Sequence, residues 1–263
     1  MKGVASAGRA GAAPRAPGAE VLLLAVESAT SVPGVAVLRG EELLVELAQP
    51  GDQHHAETLL PLVDRALAHS GLELDEIEDF GVSIGPGSFT SLRIGLATVK
   101  GLVFGTSRPA VPVSTLKALS WTALCDADSE TPVVALLDAR RGEAYAAGYA
   151  LAAGGTGERD ELEELLAEGV YTPAELAERI PGRCRLVGEG AALFGPEICA
   201  LRGPGVENLA ERWGQTRASA VGRLAVRALA RGEGVDATDL APRYVRRAEA
   251  EVKRTDRRFE DPA

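Results

Sequence analysis

Few side chains in this chain of 263 residues have the type and spacing that chemistry requires. His54 and His55 are adjacent, so they point to different faces of any helix that holds them, and His69 falls at the far end of the same segment. Two metal ligands on one helix face need a four-residue interval, so the trio reads as surface histidines. Cys125, Cys184 and Cys199 are odd in number and form no CxxC pair. That pattern favours reduced thiols in a cytoplasmic protein over a disulfide frame or a zinc site. Neither a GxxxxGK[ST] loop nor a GxSxG elbow is present. The carboxylates best placed for metal–phosphate chemistry are Glu27, which ends the apolar run Val21–Val26, and Asp138, which opens the string Asp138-Ala-Arg140-Arg141-Gly142-Glu143. Both fall at expected strand ends. For the second string a structural hairpin is the simpler reading.

The string 85–102, GPGSFTSLRIGLATVKGL, carries more information. Pro86-Gly87 makes a tight turn, and Ser88 is a natural helix N-cap that leaves backbone N–H groups able to meet an anion. Leu92, Leu96, Val99 and Val103 form one apolar stripe, while Gly95, Ala97 and Gly101 are small enough to let another helix approach. Glycine in a helix costs about 1 kcal/mol against alanine. The small residues therefore mark close packing, either inside the fold or against another subunit.

These residues need elements to hold them. Strand-like runs at 21–26, 34–38 and 41–48 precede an amphipathic helix at 56–69, where Leu59, Leu60, Leu62, Val63, Ala66 and Leu67 share one arc. That arc is roughly 160° wide, broader than the apolar stripe of about 100° that buries one face. A strand at 79–84, a helix at 88–104, a strand at 110–113 and a helix at 115–125 follow. A second set begins at Pro132, with strands at 133–138 and 143–150, a helix at 173–179, a strand at 184–188 and a long helix at 217–231. The acidic stretch 158–168 between them reads as a solvated helix face or loop. Alternation of this kind predicts layered α/β structure, and the halves look like decayed copies of one unit.

Composition narrows the class. The chain is 46% apolar and 25% charged, close to the globular average, with only 4% aromatic residues, which argues against a stacking platform for single-stranded nucleic acid. Net charge is −10, carried by a body of −15 at 20–242 between basic ends. Such a body does not grip phosphate backbones unaided. The run Val21–Val26 is too short to cross a membrane.

Taken together, GPGSFTSLRIGLATVKGL at 85–102, AVESATSVPGVAVL at 25–38, HHAETLLPLVD at 54–64, PAVPVSTLKAL at 109–119, LLDARRGEAY at 136–145, TPAEL at 172–176, VGEGA at 187–191 and APRYVRR at 241–247 resemble the TsaB (YeaZ) family. The resemblance spans about 21–250. It departs at Glu27, where the family has Asp, at Ser91, where Gly is common, and at Ala56, where the family has Ser.

The resemblance implies an α/β fold of two actin-like (ASKHA) subdomains, with mixed sheets flanked by helices, at 20–126 and 127–240. A disordered tail at 1–19 and a basic tail at 241–263 would flank them. It further implies a non-catalytic subunit in tRNA threonylcarbamoyladenosine synthesis, acting in the cytoplasm with a TsaD-like catalytic partner and a TsaE-like ATPase. Homodimerisation would replace the partner when it is absent, and tRNA would be met only through the complex. The TsaD relatives hold metal through HxxxH, and the matching positions here are Thr115 and Leu119, so neither metal nor a catalytic residue is expected in this chain. Glu27, Ser28 and Asp138 would be a vestigial nucleotide loop, with no tightly bound cofactor and ATP or ADP only at a partner interface. Leu59, Leu60, Val63, Leu67, Leu92, Gly95, Leu96 and Val99 would form the partner face. The competing expectation is an autonomous ATP-dependent phosphotransferase of the same fold, using Glu27 and Asp138.

Overall fold

The computed structural model describes residues 20–50, 55–126, 131–152 and 162–245. The expected N-terminal tail, His54, residues 158–161 and the basic residues from Arg246 onward lie outside them.

Among the described residues the chain passes twice through one order of elements. The first pass is β1 (Leu22–Glu27), β2 (Gly34–Arg39), β3 (Glu42–Ala48), α1 (His55–Ser70), β4 (Asp79–Gly85), α2 (Phe89–Leu102), β5 (Ala110–Ser114) and α3 (Thr115–Asp126). The second is β6 (Val133–Asp138), β7 (Ala144–Leu151), β8 (Leu162–Tyr171), α4 (Pro173–Arg179), β9 (Cys184–Val187), α5 (Glu189–Arg202), β10 (Val206–Asn208) and α6 (Ala218–Ala230). The two sheets have matching strand orders, β3-β2-β1-β4-β5 and β8-β7-β6-β9-β10. In each, the first strand is antiparallel to its successor and parallel to the fourth: Ala25 lies opposite Ala36 and Gly81, and Ala135 opposite Ala147 and Val187.

The central strands are apolar throughout because both faces are covered. On β1, Leu24 and Val26 point into a cluster with Leu59, Leu62 and Val63 of α1 and Leu96 and Val99 of α2. Their neighbours Leu23 and Ala25 point the other way, onto Val221, Leu224 and Ala225 of α6. Strand alternation alone produces this division. At Gly81 of β4 a β-carbon would lie 2.8 Å from that of Ala225, so glycine there lets α6 lie close on the sheet.

The second sheet is covered by α4 and α5 on one face, through Leu176, Ile180, Ala191 and Ile198. Its other face meets Leu116, Leu119, Ala123 and Leu124 of α3. The covering helices are thus exchanged. Helix α3, within the expected first unit, covers the second sheet, and α6, within the expected second unit, covers the first. Among the described residues no helix is long and apolar enough to cross a membrane.

Two expectations change. The acidic stretch is largely strand β8, not a solvated helix or loop, paired on one side with β7. Helix α5 and strand β10 are additional elements.

Candidate functional site

The turn after β1 is built around Glu27. Its carboxylate Oε1 accepts hydrogen bonds from Ala29 N at 2.8 Å, Thr30 N at 3.1 Å and Thr30 Oγ1 at 3.3 Å. The side chain is fully buried, and Oε2 makes no hydrogen bond. Burial pushes the carboxyl from 4.5 up to about 7, against the opposing pull of the Ser83 hydroxyl, the Thr30 and Ala29 amides and the Thr30 hydroxyl. A glutamate has one methylene more than aspartate, and here the carboxylate folds back onto its own loop. The amides that could otherwise meet a phosphate at this strand end are already bonded to Glu27.

The Gly-Pro-Gly turn completes the packing. Ser88 N donates to Ala29 O at 2.9 Å, and a β-carbon at Gly87 would overlap that same carbonyl. Nearly two turns into α2, a β-carbon at Gly95 would overlap Ser28 Oγ. Ser88 caps α2 as its sequence position requires, accepting from Ser91 N at 3.5 Å and from Ser91 Oγ at 2.9 Å. His55, at the start of α1, donates from Nε2 to Thr30 O at 3.0 Å.

Across from this loop stands the second half. Ser31 Oγ donates to Glu189 Oε2 at 3.2 Å, at the first residue of α5, and accepts from Gln215 Nε2 at 3.4 Å. Asp138 is held within its own hairpin, its Oδ1 accepting from Arg140 N at 2.7 Å. Glu27 and Asp138 thus each serve a separate loop. Among the described residues no group of three His, Cys, Asp or Glu side chains could hold a metal ion.

The expected partner face needs correction. Leu59, Val63, Leu67, Leu92, Gly95, Leu96 and Val99 are buried inside this chain, and of the eight only Leu60 is exposed, at 51%. The wide arc on α1 covers the sheet with most of its width, and Gly95 admits Ser28 rather than a second subunit. Other small and apolar residues remain on the outside. Pro61 on α1, Ala97 and Gly101 on α2 and Phe104 just beyond it are exposed, and a β-carbon at Gly101 would meet nothing within 4 Å. Thr115 and Leu119 are fully buried on α3.

The start of the segment that the sequence presents as a basic tail is tied down to the body at Arg243 and Tyr244. Arg243, counted there among the tail cations, donates its backbone N to Ile84 O at 2.8 Å and brings Nε within 3.2 Å of Glu168 Oε1. Burial raises the Glu168 carboxyl, although Ser114 Oγ donates to it at 2.6 Å and Arg243 is near. Tyr244 stacks on Phe89 at 5.0 Å and accepts from Arg93 Nε at 2.8 Å, while the Arg93 guanidinium lies 4.0 Å from the Phe89 ring centre. Nothing in the acidic stretch distinguishes Glu168 from its neighbours before the strand is formed.

Comparison with known proteins follows the same lines. A family model described as TsaD, tRNA N6-adenosine threonylcarbamoyltransferase, matches residues 49–253. The chain is 41% identical to the tRNA threonylcarbamoyladenosine biosynthesis protein TsaB of Haemophilus influenzae over 125 residues, covering 47% of this chain and about half, 51%, of that relative's length. It is 32% identical to TsaB of Escherichia coli over 168 residues, covering 64% of this chain and 71% of the relative. A crystal structure from Pseudomonas aeruginosa, described as an uncharacterized protein with similarity to peptidase YEAZ, superimposes with a TM-score of 0.73 at 30% identity, covering 86% of this chain and all of that one. With that overlap in sequence and in fold, the chain belongs to the TsaB (YeaZ) family of tRNA threonylcarbamoyladenosine biosynthesis proteins.

Proposed function

We propose that the chain is a non-catalytic subunit of the machinery that makes N6-threonylcarbamoyladenosine in tRNA, and that it acts by docking on a TsaD-like transferase. The observation that carries this reading is Glu27. A carboxylate at the end of the first strand could serve a metal–phosphate group, but here it is buried and bonded to the amides of its own loop. Leu119 has no donor atom, and both it and Thr115 lie in the core at the positions that match the TsaD metal ligands. The transferase supplies metal and chemistry, and a TsaE-like ATPase completes the assembly. The docking face is the outer side of α1 and α2, around Leu60, Pro61, Ala97 and Gly101, where small residues let partner helices come close.

The test is co-expression with a TsaD-like protein and its ATPase, followed by incorporation of labelled threonine into tRNA. Incorporation is expected from the assembly and not from this chain alone. Incorporation by the purified chain alone, or one tightly held metal ion per chain, overturns the reading.

A further inference from the structure

The first sheet ends at β5, and beyond that edge lies a recess of about 390 Å³ between β5, the start of α3 and the end of α6. One pair of hydrogen bonds begins to close the edge, Ala110 N to Val235 O and Val235 N to Ala110 O, both at 2.9 Å. Two residues further on, Pro112 presents its backbone to the same edge and has no N–H, so the ladder stops there. The gap is therefore set by the sequence. Its size falls within the range of about 300–1,000 Å³ usual for small-molecule sites.

The lining divides by chemistry. Val111 and Val113 of β5 and Leu224 of α6 form an apolar floor. Lys117 of α3 and Arg227 and Arg231, one turn apart on α6, stand around it with a single acid, Glu233. That excess of cations is opposite in sign to the net charge of −10. Arg227 is fixed in place, 4.1 Å from the Trp121 ring centre and forked onto Glu41 at 2.8 Å. Arg231 is forked onto Glu233 at 2.6 and 3.0 Å, and that hydrogen bond, ahead of the Arg231 and Lys117 charges, lowers the Glu233 carboxyl. Both side chains of this pair are about half exposed, so water screens it and another anion can displace Glu233. Lys117 is half-buried, and among the described residues its ammonium makes no hydrogen bond and no contact ion pair. Removing a cation from water is costly unless an anion meets it.

We propose that this recess binds a small organic phosphate, with the phosphate between Lys117 and Arg231 and an apolar or aromatic body on Val111, Val113 and Leu224. A phosphate dianion matches one ammonium and one guanidinium fork in charge and in hydrogen-bond acceptors. The floor takes a body that inorganic phosphate lacks. Helix α6 lies on the face of the first sheet opposite α1 and α2, so the site is separate from the docking face and its test does not depend on assembly.

The probe is phenyl phosphate at pH 8, where it is a dianion, titrated into the full chain and followed by the methyl resonances of Val111, Val113 and Leu224. Saturable shifts are expected, with affinity at least about tenfold above that for inorganic phosphate. Lys117→Met should weaken binding by about tenfold or more with the melting temperature unchanged, and Lys117→Arg should restore it. Glu233→Gln, at an exposed position, should tighten binding by freeing Arg231. Absence of a saturable shift at millimolar probe overturns the proposal, as does equal affinity for inorganic phosphate, which marks an adventitious ion only. Benzoate binding as tightly as phenyl phosphate overturns the ligand class. Unchanged affinity in either Lys117→Met or Glu233→Gln overturns the assigned phosphate position.

Discussion

Glu27 couples the fold to pH in a direction opposite to most carboxylates. Its carboxyl is raised from 4.5 to about 7 by burial, so the folded state holds the proton more tightly than the unfolded state. The stability contributed by protonated Glu27 is fully present below about 4.5 and is lost as pH rises through about 7, on the order of 3 kcal/mol in all. Glu168, also raised by burial, acts in the same sense. Glu27→Gln keeps an oxygen for the Ala29 and Thr30 amides and removes the titration. Its melting temperature should exceed that of the unaltered chain at pH 8 and lose the advantage at pH 5; parallel curves across that range would refute the assignment. Gly95 supplies a second residue-level test, because a β-carbon there overlaps Ser28 Oγ. Gly95→Ala should lower stability by about 1–3 kcal/mol through overpacking, read in a denaturant titration of this chain alone. A loss of partner binding without a loss of stability would restore Gly95 to the interface.

Helix α1 has two sides with different expected costs. Leu59 is fully buried and Leu60 is half exposed, one residue apart. Leu59→Ala should cost about 2–5 kcal/mol wherever the partner is. Leu60→Glu should leave the melting temperature unchanged within about a degree and abolish co-purification with the TsaD-like protein; retained co-purification would move the interface elsewhere. The sequence shows that α1 is amphipathic but not how its wide apolar arc divides between sheet and solvent, since Leu59 and Leu60 look alike until the sheet lies beneath one of them. Elements bounded by clear turn or cap residues were legible almost to the residue, as at β6 after Pro132 and α4 after Thr172. Helix α5 was not, because Gly190, Gly195 and Pro196 interrupt it and read as breakers. Strand β8 was not, because its glutamates sit on an edge strand that pairs only with β7, where charge is tolerated and alternation with apolar residues is weak. At the site, the carboxylates Glu27 and Asp138 were visible as strand-end residues, but their attachment to separate loops depends on side-chain direction that spacing does not encode.

The exchange of α3 and α6 makes the two sheets depend on one another. A chain ending before Val133 keeps all five strands of the first sheet but lacks α6, leaving Leu23, Ala25, Ala36 and Leu38 without their cover. Helix α3 in that fragment would likewise expose Leu116, Leu119 and Leu124. The fragment should show no cooperative thermal transition and should bind a dye specific for exposed apolar surface, whereas a sharp transition would mean that the first sheet folds by itself. The same exchange governs how the molecule is born. Ser114, the last residue of β5, leaves the ribosome well before Ala218, and at about 5–20 residues per second the interval between them is roughly 5–20 s. Throughout that interval the first sheet has strands but only one covered face, so the nascent chain presents a sticky surface that a holding chaperone can occupy. Slowing translation between β6 and α6 would therefore lengthen the period of greatest aggregation risk, while slowing it after α6 would not.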